Sequence, residues 1–236
     1  MKISTLRSTV ETALAGRVAS PFSFCDRQSP ETVALGIPEI DALAGGLPRG
    51  SLTEICGPPC SGHTSLLLAA LAGRTRHPEA CALVDSRDAF DPHSAEAAGV
   101  ELKNLLWVHC KNIDQSLRAA DLLLQGGGFG MVALDVSDIE PKTVRQVPLH
   151  AWFRFRRIVE NTPTIFLLLE QETNAKTCAS LVLKTGMKTA QWNVTAGDAA
   201  MCLFDGVAVR AEVMRSKWKA NPEAGFGARA RWRQCA

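Results

Sequence analysis

Apolar and polar positions follow two periods along this chain. Short apolar runs bounded by turn formers predict strands at 51–56, 80–85, 105–109, 131–135 and 164–170. Between them, apolar residues at helical spacing predict helices at 64–74, 92–98, 114–125 and 148–160. Upstream, Leu6, Val10, Leu14 and Val18 mark an amphipathic helix over 2–18, stopped by Pro21. Residues 19–35 read as an irregular arm, 36–43 as a short helical turn and 45–50 as a tight turn. Beyond 170 the pattern is strand-rich, with strands at 179–184, 191–194, 201–204 and 208–214. Alternating β and α units imply an α/β fold with a mostly parallel central sheet, and the strand-rich end implies that antiparallel strands finish it.

Composition narrows the class. The 236 residues are 46% hydrophobic and 21% charged, which is globular rather than disordered. A net charge of +2 argues against a generally basic nucleic-acid protein. No run approaches the ~18 apolar residues of a membrane helix, and the opening stretch lacks a signal peptide's apolar region. The eight cysteines show no metal-ligand spacing, so reduced, buried thiols in a cytoplasmic protein are expected.

The chemistry concentrates after the first strong strand. Gly57-Pro58-Pro59-Cys60-Ser61-Gly62-His63-Thr64 fits the phosphate-binding loop G-x-x-x-x-G-K-[ST], between a strand and a helix, at every element but the lysine. Glycines let backbone N–H groups wrap phosphate, and the helix N-terminus adds a favourable partial charge. Gly57, Ser61, Gly62, His63, Thr64 and Ser65 are the candidate nucleotide contacts. Thr64 and Asp135, at the end of an apolar strand, are the candidate magnesium ligands. His63 is short and mostly neutral where a long cation belongs, and Pro59 removes one backbone donor. Weakened nucleotide binding is the expectation. A glycine turn that binds nothing and near-normal binding stay open.

These motifs together resemble the RecA recombinase core. Gly36-Ile37-Pro38-Glu39-Ile40-Asp41 with Gly45-Gly46-Leu47-Pro48-Arg49-Gly50 is similar to the segment leading into RecA's loop, and Val84-Asp85-Ser86-Arg87-Asp88-Ala89-Phe90-Asp91-Pro92 is similar to its I-D-A-E-H-A-L-D-P. The resemblance covers about 36–215 and implies ATP and magnesium as cofactors. It implies Asp91 beside the adenine and Gln171 as the nucleotide-sensing glutamine; Asp91 also reads as a helix N-cap ahead of Pro92. Arg87 stands where RecA has its catalytic glutamate, and an arginine stays protonated and cannot be a base. The stretches that would form RecA's DNA-gripping loops are short. No residue is therefore assigned a catalytic role.

Erosion of this kind resembles the ImuA-type, RecA-derived proteins of DNA-damage tolerance and translesion synthesis, which 122–130 and 152–157 also resemble. The resemblance implies a non-hydrolysing accessory role in the SOS response. Error-prone polymerase components and RecA itself are the implied protein partners. An active DNA-dependent ATPase, with Asp88 replacing the glutamate, and a SulA-like inhibitor of cell division are the alternatives.

Two segments carry further contact candidates. Trp152-Phe153-Arg154-Phe155-Arg156-Arg157 reads either as a partner- or DNA-contacting stretch or as a helix burying Trp152, Phe155 and Val159. Residues 216–236 read as a basic, Trp-containing tail that docks a protein or nucleic acid, through Arg215, Lys217, Trp218, Lys219, Arg229, Arg231, Trp232 and Arg233. The domain plan is an arm over 1–35, a RecA-like core over 36–215 and this tail.

Overall fold

The computed structural model describes residues 30–77, 79–194, 202–217 and 223–229. The expected helix over 2–18 and most of the arm lie outside these residues. So do Trp218, Lys219, Arg231, Trp232 and Arg233. The chain divides between Pro30 and Glu31, a few residues ahead of the expected boundary.

Helices alternate with strands as α1 Pro38–Ala44, α2 His63–Arg76, α3 Pro92–Ala98, α4 Ile113–Gly126, α5 Pro141–Arg145 and α6 Leu149–Val159. A two-residue ladder pairs β1 Thr32–Val33 with β2 Leu47–Pro48. The parallel strands of the main sheet are β3 Ser51–Cys56, β4 Cys81–Asp85, β5 Leu105–His109, β6 Met131–Asp135 and β7 Ile165–Glu170. β8 Leu181–Val194 is parallel to β3 and antiparallel to β9 Cys202–Ser216, which pairs antiparallel with β10 Glu223–Arg229. The strand order is β10-β9-β8-β3-β7-β6-β4-β5.

The central strands read as continuous apolar runs because both faces are covered. On β7, Ile165, Leu167 and Leu169 face a core built with Leu66 and Leu71 of α2. Phe166 and Leu168 face a second core with Trp152, Phe155 and Val159 of α6. In-register pairing sets the C-terminal ends of four strands side by side: Cys56 opposite Glu170, and Asp85 opposite Asp135. In an open α/β sheet that edge is where ligands bind.

The far end of the sheet differs from the sequence reading. The four short strands expected after 179 are two long ones. β10 lies within the stretch read as a tail: residues 223–229 form its edge strand, and Phe226 is buried against the first core.

Candidate functional site

β3 delivers the chain into the loop at Gly57, whose amide donates to the carbonyl of Glu170 at 3.2 Å. A side chain here is excluded: a Cβ on Gly57 would sit 2.4 Å from the Thr185 carbonyl oxygen. The loop then turns through left-handed backbone at Cys60, φ 61°, and at Gly62, φ 91°. Gly62 opens α2 and packs so closely that its Cβ would lie 2.9 Å from Val209 Cγ2. The spacing of glycines that signalled a phosphate loop is thus needed by the fold itself.

Inside the loop, Ser61 Oγ lies 3.1 Å from His63 Nε2 and 2.8 Å from Thr185 Oγ1. Thr185 Oγ1 donates in turn to the carbonyl of Cys56 at 3.4 Å. Every hydroxyl hydrogen finds an acceptor if His63 Nε2–H donates to Ser61, Ser61 to Thr185 and Thr185 to Cys56. Burial lowers the His63 pKa below its ordinary value; the Cys56 carbonyl and the Asp138 charge oppose this without reversing it. The imidazole is therefore neutral at pH 7, with its Nε2 turned into the loop.

A cavity of about 380 Å³ opens beside this loop. His63, Thr64, Ser65, Gly62, Cys60 and Pro59 form one wall, and Asp135, Ser137 and Asp138 another. Leu67, Leu83, Phe90, Phe204 and Val207 supply apolar lining. Among the described residues, three aspartates line the cavity, namely Asp85, Asp135 and Asp138, and no lysine or arginine does.

Two of these carboxylates already serve the protein. Burial alone would push the Asp85 carboxyl up. The amides of Phe90, Arg87 and Ala89 and the Trp107 indole outweigh that and hold it below the usual carboxylate range. Asp85 thereby shapes the turn carrying Arg87, which is exposed and does not line the cavity. Burial raises the Asp135 pKa, helped by the charges of Asp138 and Asp85, while the Ser137 amide at 2.9 Å and hydroxyl at 2.6 Å act against it. Thr64 and Asp135 do face one cavity, as a shared metal would require.

The other expected nucleotide contacts sit apart. Gln171 Nε2 donates to the Ser137 carbonyl at 2.7 Å, tying the end of β7 to the turn after β6. Asp91 caps α3, accepting from the amides of His93 at 3.2 Å and Ser94 at 3.0 Å. It lines a separate groove with Ser65 and Phe226. Of the expected contact residues, Arg215 reaches the Lys176 carbonyl, Lys217 follows the end of β9, and Arg229 closes β10.

One buried constellation had no sequence signal. Glu54 on β3 and Glu170 on β7 are both fully buried. The Asn174 amide donates to both, at 2.8 Å and 3.1 Å. Burial first, and then the hydrogen bond and charge shared with Glu54, push the Glu170 carboxyl up to about 10. The pair therefore holds a proton. Only adjacency of β3 and β7 brings the two together, and spacing in the chain cannot show it.

Residues 25–151 match the RecA N-terminal domain. RecA proteins of Acinetobacter baumannii strains AYE and SDF are each 36% identical over 118 residues, 49% of this chain and 34% of the relative. The chain thus spans about a third of the length of the curated relatives it matches.

Proposed function

This chain belongs to the RecA N-terminal domain family, and from that premise we propose that it is a RecA-derived accessory protein of DNA-damage tolerance, working through protein contacts and turning ATP over barely or not at all. Members of this family usually bind ATP with magnesium. What supports a departure here is the cavity lining among the described residues: three aspartates, a neutral histidine committed to its own loop, and no lysine or arginine. A triphosphate brings several negative charges, and in a partly buried site they need cations or inward N–H groups to replace water. Thr64 and Asp135 could hold magnesium. That places one divalent charge against three carboxylates before any phosphate arrives. The lining does not fit tight binding of a triphosphate, so no chemical step is assigned to one.

Turnover is further disfavoured by Arg87, an exposed cation where the resemblance places the water-positioning carboxylate. Asp88 does not line the cavity and lies 4.0 Å from His109 Nδ1. The expected partners are error-prone polymerase components and RecA itself.

Phosphate release by the purified protein, with and without single-stranded DNA, tests the reading. The expected rate is indistinguishable from an Asp135→Ala variant. Robust DNA-stimulated release that Asp135→Ala abolishes would overturn it.

A further inference from the structure

Helix α6 is apolar on two sides. Trp152, Phe155 and Val159 enter the core, where the Phe155 ring meets Phe166 edge-on with centroids 5.2 Å apart. This confirms the core-helix reading of that stretch but leaves its other side unexplained. A solvated helix face should be polar. Instead, Phe153 is 44% and Leu149 39% exposed. Leu122 on neighbouring α4 is 70% exposed.

The charges around them have one sign in excess. Helix α6 holds three arginines and no acid. Arg156 lies 3.8 Å from Glu160, and Arg154 binds Asp121 of α4 at 2.6 Å, which joins the two helices through the chain neighbours of Phe153 and Leu122. Arg157 has no ion pair among the described residues. His150, Phe153, Arg154, Arg157 and Ile158 line a shallow concavity of about 400 Å³ on this side. On α4, exposed Arg118 stands one turn before Leu122.

We propose that this face of α6, with the adjoining edge of α4, docks an acidic segment of a partner protein that carries aliphatic or aromatic side chains among its carboxylates. An apolar partner alone would bury Arg157 without a counter-charge, which is costly. Carboxylates answer the excess positive charge and speed encounter, while Phe153 and Leu122 give the segment an apolar floor of the kind that anchors helix-in-groove recognition. Single-stranded nucleic acid fits less well. Leu122 and Leu149 offer a phosphodiester nothing, and one phenyl ring is a single platform where strand-binding grooves use several. The proposal rests on the reading that the chain works through protein contacts, but it fails separately from that reading, because its test involves no nucleotide.

Fluorescence anisotropy on the full chain decides it. The probe is a labelled synthetic peptide with Leu and Phe at i, i+3, i+4 and i+7 and Glu elsewhere. Its control is the same peptide with Lys for Glu. The Glu peptide should bind at least ~tenfold more tightly, a difference of about 1.4 kcal/mol. Phe153→Ala should weaken it, Arg157→Glu should abolish it, and added salt should loosen it. All these positions are exposed, so melting curves should not move; Leu122→Ser is a second variant from the other helix. Equal binding of the two peptides overturns the proposal, as does affinity unchanged in all three variants. Preferential binding of oligo-dT, lost in Arg157→Glu, overturns it as well and makes this a nucleic-acid surface.

Discussion

His63 Nε2 lies 3.1 Å from Ser61 Oγ, two residues back in the same loop. The contact explains how a phosphate-type loop persists without its lysine. The ring is buried, so its polar nitrogen needs a partner. Ser61 supplies one, and passes the bond to Thr185 on β8. The loop is held by its own side chains and by Thr185.

Replacing His63 with lysine tests that view. The variant loses the internal bond and gains a cation long enough to leave the loop and reach phosphate. Binding of a non-hydrolysable ATP analogue with magnesium, followed by calorimetry, should strengthen at least ~tenfold, about 1.4 kcal/mol. Turnover should stay absent, because Arg87 is unchanged. Affinity equal to or below the parent would mean that the pocket cannot open, and that the glycine turn serves the fold alone.

The strand–loop–helix unit was legible in the sequence because its signals are local: an apolar run, glycines at fixed spacing, then Leu and Ala at helical period. The sheet beyond β7 was not. Register shifts at Val182/Leu183, Met187/Thr189 and Gln191/Trp192 break the period-two pattern, so one long strand reads as two short ones. β10, with two glycines in seven residues, carries little strand propensity and forms because β9 offers an edge. α5 has five residues, too few to show a period. In the site, loop spacing singled out Thr64 and the apolar run before it singled out Asp135, and both line one cavity. The roles of Thr185 and Ser137 were not, since neither belongs to a motif and each acts through a contact made by the folded chain.

The Glu54–Glu170 pair should make stability fall as the solution becomes alkaline. An unfolded glutamate titrates near ~4.3, whereas Glu170 is held up to about 10 in the fold. Between those values the native state binds the extra proton, so the stabilisation is complete below pH ~4.3 and lost progressively as pH rises toward 10. Glu170→Gln replaces the labile proton with an amide donor that can serve Glu54 Oε2, which has no other hydrogen-bond partner among the described residues. The variant should melt higher than the parent at pH 8, by a margin that shrinks toward pH 5. Parallel pH profiles for the two proteins would show that no shared proton stabilises the pair.

The C-terminal segment asks for two truncations rather than one. Removing 216–236 takes away β10, and with it Phe226, which is buried beside Gly62 and Val209. Phe226→Ala alone should cost ~3 kcal/mol, at the low end for a buried phenylalanine, and the whole strand more, since β9 would then become an exposed edge. The Arg210–Glu223 ion pair at 2.7 Å is solvent-exposed and adds little. Loss of partner binding after that cut would therefore report a damaged core. A cut after Arg229 keeps every β10 pairing and removes Arg231, Trp232 and Arg233, the part of the expected contact segment that follows β10 in the chain. If those residues dock a protein, the shorter truncation should melt within about 2 °C of the parent, a stability change well under ~1 kcal/mol, yet lose its pull-down of error-prone polymerase components and RecA. Full recovery of both partners at unchanged affinity would leave the last residues without a binding role, and would shift attention to the arginine-bearing face of α6.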